Sequence, residues 1–157
     1  MVQTTANDRK QHRDGEVSDI DITVTYLYGD ALEIETRGHH LTVDQPVEDG
    51  GADLGPTPTE LFVASLAACV GFYASRFLRR HDLPSEGLTV RCDATLSSDL
   101  PTRVAAITLV LDGLPPLPEK RRAALAASAS RCLVHNSILQ APEIRIELAA
   151  PPGAAAS

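Results

Sequence analysis

The residues in this chain best suited to chemistry are its three cysteines, Cys69, Cys92 and Cys132. A thiolate can attack, reduce or ligate a metal, so what matters is which thiol can ionise and which can meet a partner. Cys92 falls on the apolar face of the alternating run Leu88-Val90-Cys92-Ala94-Leu96, where a lone cysteine behaves as a small buried hydrophobe. Cys69 and Cys132 fall instead on two long helices, and 132 − 69 = 63 residues separate them, too many for a local zinc-knuckle spacing. If those helices pack together, the thiols meet. Cys69 is placed mid-helix and Cys132 near the C-terminal end of its own, where the dipole opposes an anion, so Cys69 is the less handicapped thiolate. A nearby cation is needed to lower its pKa. Arg37 is the candidate, because Arg37-Gly38 interrupts a strand pattern just where the chain turns back, and a guanidinium stays charged in any environment.

Other ligand-type side chains add less. Cys132-Leu133-Val134-His135 is a C-x-x-H, but with Cys69 it supplies three ligands and no evident fourth, so no metal site is expected. His135 is expected to cap the helix end or to line the thiol pocket. His39 and His40 flank opposite faces of a strand, and His81 sits at a helix end, where partial positive charge suits the dipole.

The elements that must position these residues read in order. Apolar residues alternate at Ile20, Ile22, Val24, Tyr26 and Tyr28, turn at Gly29-Asp30 and resume at Leu32 and Ile34. Leu41 and Val43 continue as a third strand ending at Asp44-Gln45-Pro46, which makes an antiparallel meander. A Gly-rich acidic loop over 47–57 leads to Thr57-Pro58-Thr59-Glu60, a helix start with Thr at the N-cap, Pro at the first position and Glu closing a capping box. That helix should run to about Arg80 and be buried nearly all round, since Leu61, Phe62, Leu66, Cys69, Val70, Tyr73 and Phe77 are interleaved with Ala and Gly. A second hairpin follows, Leu88–Leu96 and Val104–Leu111, then a second helix over about Glu119 to Val134 and a last strand, Ile144-Ile146-Leu148. The order is βββ-α-ββ-α-β, an α+β chain. Residues 1–17 and 150–157 are polar or Pro/Gly-rich and are expected to be disordered tails around a single unit over 18–149.

Composition narrows the partners. Lys+Arg number 14 against 21 Asp+Glu, a formal charge of −7, and Trp is absent, so neither phosphate backbones nor base stacking are served. The longest uncharged stretch, Leu61 to Ser75, is 15 residues, short of the roughly 20 that span a bilayer. No secretory signal pattern opens the chain, and three cysteines form no disulfide framework, so a reducing, cytoplasmic setting is expected.

The segment Gly55-Pro56-Thr57-Pro58-Thr59-Glu60-Leu61-Phe62 through Ala67-Ala68-Cys69, with Cys132-Leu133-Val134-His135-Asn136-Ser137 much later, closely resembles the OsmC/Ohr family of peroxide-reducing proteins. The likeness spans nearly all of residues 20–148. It implies an intertwined homodimer, two central helices wrapped by antiparallel sheets from both chains, with active sites at the subunit interface. It further implies that Cys69 is the peroxide-reactive thiol and Cys132 the resolving thiol, with an external dithiol, a lipoylated protein or small thiol, as reductant and no metal or flavin.

Two positions depart from the organic-hydroperoxide branch. Its Arg belongs in the first hairpin turn, which here reads Gly29-Asp30, and its Glu directly follows the proline, where this chain has Thr59. Arg37 and Glu60 are the residues that would take over those roles, and Arg37-Gly38-His39 with Asp44-Gln45-Pro46 resembles the general OsmC-like branch. Two functions follow as expectations. One is a thiol peroxidase acting on organic hydroperoxides or hydrogen peroxide. The alternative is a non-catalytic dimer that binds a small apolar ligand or a protein partner.

Overall fold

Alternation from Ile22 onward does produce a meander. In the computed structural model, which describes residues 19–149, three antiparallel strands run β1 (Thr23–Tyr28), β2 (Ala31–Thr36) and β3 (His39–Val43) in the order β1-β2-β3. The register pairs Val24 with Ile34 and Ile34 with Leu41, and likewise Tyr26 with Leu32 and Leu32 with Val43, so one face of the sheet collects the apolar side chains. The β2–β3 turn is Arg37-Gly38, with φ of 52° and 77°; this two-residue left-handed pair matches the twist of a tight hairpin.

After β3 the chain is fixed by one carboxylate. Asp44 is buried and accepts from the backbone N–H groups of Gln45 (2.8 Å), Ala52 (2.9 Å) and Leu54 (3.2 Å). The acidic, Gly-rich loop is thereby folded back on the end of β3 through a short 3₁₀ turn, Val47–Asp49. Gly51 and Gly55 are required there, since a Cβ on either would collide with the carbonyl of Gln45 or Thr42.

Among the described residues the chain packs as two compact units, one ending at Thr57 and one beginning at Pro58. The proposed tails at 1–17 and 150–157 lie outside the described residues. The second unit begins with α1 (Pro58–Arg80), continues through the antiparallel hairpin β4 (Thr89–Leu96) and β5 (Val104–Asp112), and ends with α2 (Glu119–Ala129) and α3 (Leu133–Leu139). Its core is the α1 stripe Leu66, Val70 and Ala74, spaced four apart, against Leu125, Ala129 and Cys132. Gly71 lets α1 lie close to β4, because a Cβ there would stand 3.2 Å from Val90 Cγ2.

Three expectations change. The α1 helix is not buried all round: Leu66, Val70, Ala74 and Leu78 are, while Phe62 and Phe72 stay exposed, because the elements of its own unit cover one side only. By length and composition α1 would also serve as a membrane span, longer than the uncharged stretch suggests, but its buried stripe is taken up by the core. The second helix, expected unbroken to Val134, ends at Ala129 and restarts at Leu133. Ser130 contributes to that stop by returning its hydroxyl to the Ala127 carbonyl at 3.2 Å, the local competition that Ser offers a helix. Finally, residues 141–149 form no strand: Ile144, Ile146 and Leu148 are 79%, 89% and 94% exposed, because no sheet edge in the described chain receives them.

Candidate active site

The small-residue helix and the break at 130–132 together bring two thiols face to face. Cys69 lies halfway along α1, half-buried and packed against the core cluster to which the wholly buried Cys132 belongs. Both are free thiols, and Cys69 acts on the ionisation of Cys132 as a hydrogen-bond partner and through its charge. The meeting expected of two packed helices is realised, with Cys132 carried on the joint between α2 and α3.

That joint overturns the assumed setting of Cys132. It is the N-cap of α3, with extended backbone (φ −71°, ψ 153°), and its sulfur accepts the N–H of His135 at 3.4 Å. A helix start offers N–H donors to an anion, the reverse of the C-terminal position expected. Burial nevertheless dominates and pushes the Cys132 thiol above its ordinary value of 9.0; the N–H groups of His135 and Val134 pull the other way, and Cys69 adds to the rise. Burial thus favours the protonated form of Cys132. The signal that could have revealed the break is Ser130, whose hydroxyl competes for a helix carbonyl.

Cys92 behaves as the bland reading expects. It is half-buried on β4, and burial together with the neighbouring Asp93 carboxylate raises its pKa. His135 is held by its ring Nδ1 against the Ser130 carbonyl, at the wall of an apolar groove of about 460 Å³ between α1, β5 and α3. Leu66, Val70 and Ala129 are shared between that groove and the cluster that buries Cys132, although neither thiol lines the groove itself.

The remaining candidates lie elsewhere. Arg37 occupies the β2–β3 turn of the first unit, exposed, while the thiols belong to the second. Glu60 is in the first turn of α1; the 69 − 60 = 9 residues to Cys69 amount to roughly 13 Å of helix and half a turn of rotation. Within one chain, therefore, the structure unites Cys69 and Cys132 but not Glu60 with either. His40 stands 3.5 Å from Glu33 across the sheet, and His81 places Nδ1 against the Phe77 carbonyl at the end of α1. Among the described residues no group of three His, Cys, Asp or Glu side chains could hold a metal ion.

The family model for OsmC-like proteins matches residues 50–147, which include α1, both thiols and the hairpin between them. The chain belongs to the OsmC-like family. Solved structures agree at the level of fold. An OsmC-like protein from Mycoplasma pneumoniae superposes with a TM-score of 0.67 at 18% identity, covering 79% of this chain and 89% of that one. An organic hydroperoxide resistance protein OsmC from Legionella pneumophila gives 0.61 at 21% identity, over 78% of this chain and 90% of that one. The organic hydroperoxide resistance protein OhrB of Bacillus subtilis gives 0.55 at 20% identity, over 76% and 90%. No curated protein matches the sequence. The OsmC-like family includes organic hydroperoxide resistance proteins, and the mixed α+β order found here is that of its solved members.

Proposed function

We propose that this OsmC-like chain is a cysteine-dependent peroxidase that reduces organic hydroperoxides or hydrogen peroxide. The observation that carries the reading is the juxtaposition of Cys69, half-buried on α1, with the buried Cys132 at the start of α3. In this account the Cys69 thiolate attacks the distal peroxide oxygen. An S–O bond forms, the O–O bond breaks, two electrons pass from sulfur to peroxide, and an alcohol or water leaves once protonated. The Cys132 sulfur then attacks the Cys69 sulfenic acid, its proton leaving with the sulfenic hydroxyl as one molecule of water, and a Cys69–Cys132 disulfide forms. An external dithiol, a lipoylated protein or a small molecule, returns both thiols by two exchange steps and is itself oxidised to its disulfide. A reducing cytoplasm would keep that dithiol supplied.

The apolar groove that shares Leu66, Val70 and Ala129 with the thiol cluster supports a substrate with an apolar tail. Arg37 and Glu60 are proposed to take the activating Arg and Glu roles at a site shared with a second copy of the chain. Homodimerisation is supported by uncovered apolar surface: Val24 and Tyr26 on the first sheet, Phe62 and Phe72 on α1, and the strand-patterned Ile144-Ile146-Leu148. The same groove favours the alternative of a non-catalytic apolar-ligand binder, and one experiment separates the two. Turnover of cumene hydroperoxide with a dithiol should fall to the uncatalysed background in Cys69→Ser. Full activity in that variant would sink the peroxidase reading.

A further inference from the structure

A second cavity, of about 500 Å³, lies between the C-terminal half of α1 and α2, and it differs in kind from the apolar groove. Its walls are Tyr73 and Phe77 from α1 and Ala124, Ala127 and Ser128 from α2, and three guanidinium groups rim it: Arg76, Arg80 and Arg131. No carboxylate lines it, in a chain with 21 acidic residues against 14 basic ones. Among the described residues none of the three arginines makes an ion pair, whereas Arg91, Arg103 and Arg145 each do.

Packing does not account for such an arrangement. Arg76 and Arg80 are four residues apart on one helix face, where like charges repel. The dipole at the end of α1 accounts for Arg79 and Arg80 of the last turn, but not for Arg76 or Arg131. Arg131 is contributed by the joint between α2 and α3. Three unpaired forks around an aromatic floor form a receptor for a charge of the opposite sign: guanidinium groups bind carboxylate or phosphate through paired N–H donors, and Tyr73 and Phe77 offer ring surface to whatever carries the anion. The volume falls in the range of small-ligand sites.

We infer that this cavity binds a small amphiphilic anion, a phosphate or carboxylate head on an aromatic or short aliphatic body, held by Arg76, Arg80 and Arg131. The Ser128 hydroxyl, on the same wall, is a fourth polar contact for the head. The site is independent of the peroxidase reading and is tested without turnover.

Calorimetric titration of the full chain with phenyl phosphate and, separately, 4-phenylbutyrate should give saturable binding that weakens with added salt. Whichever head binds more tightly names the class. Inorganic phosphate should bind more weakly than phenyl phosphate, and benzyl alcohol not at all. Arg80→Ala and Arg131→Ala should each cost about tenfold in affinity, the loss of one charge-assisted contact, and Arg122→Ala, on α2 outside the cavity, should cost nothing. All the substituted side chains are exposed, and far-ultraviolet circular dichroism checks that each variant is folded; Arg80→Lys, which keeps the charge but loses the fork, should fall between wild type and Arg80→Ala. Absence of saturable binding by both probes would overturn the inference. So would equal affinity for benzyl alcohol, or affinity unmoved in folded Arg80→Ala and Arg131→Ala.

Discussion

The backbone N–H of His135 donates to the Cys132 sulfur across 3.4 Å, closing the first turn of α3 on a thiol with no exposed surface. The bond offers a thiolate some support, yet burial outweighs it and the thiol stays protonated beyond its ordinary value. In the proposed peroxidase cycle that division suits a resolving partner, with Cys132 kept as a thiol and the less buried Cys69 left to meet the peroxide.

Stability should register the same shift. In the unfolded chain Cys132 ionises near its ordinary value of 9.0, while in the folded chain it holds its proton to higher pH. Between the two values the unfolded state binds fewer protons, so stability falls as pH rises. Reduced wild type should therefore lose urea resistance between about pH 8 and about pH 10, and Cys132→Ala should lose less over that interval. Equal losses in the two proteins would show that Cys132 is not the titrating group.

Asp44 has the opposite sign. Burial works to raise its pKa, but the N–H groups of Ala52, Gln45 and Leu54 together outweigh that and hold it below the usual carboxylate value. Its contribution is complete above the unfolded pKa near 3.9 and is lost as pH falls through the lower folded value. Asp44→Asn should be less stable than wild type at neutral pH, and the difference should shrink in acid. Urea midpoints at about pH 6 and about pH 3 measure it, and a difference that stayed constant would contradict the assignment.

Much of this was legible in the sequence because the signals were local. Thr57-Pro58 marked the start of α1, Gly29-Asp30 and Arg37-Gly38 marked the hairpin turns, and the alternation at Leu32-Ile34 and Leu41-Val43 gave the register. The helix break at 130–132 was missed because no Pro or Gly announces it; a Ser hydroxyl and the N-cap geometry of Cys132 make it. The final strand expected at Ile144-Ile146-Leu148 did not form, because alternation alone does not supply a sheet edge and these residues find none among the described residues. The arginine-rimmed cavity was invisible for a related reason: Arg76 and Arg131 become neighbours only when α1 and α2 pack.

An exposed, alternating apolar segment with no sheet edge to pair with predicts a partner. If a second copy receives residues 144–148, light scattering should give twice the mass of one chain. Ile146→Asp, which would set a charge into the apolar contact of the proposed dimer, should shift the protein toward the single-chain mass. A wild-type mass of one chain would argue against the dimer, and with it against Arg37 acting across an interface.

The pairing of Cys69 with Cys132 is tested most directly by titrating free thiols in the reduced protein before and after one equivalent of cumene hydroperoxide, with peptide mapping of any new bond. The account predicts the loss of two thiols of the three, a Cys69–Cys132 link, and Cys92 unchanged. Three thiols persisting, or a bond involving Cys92, would contradict it.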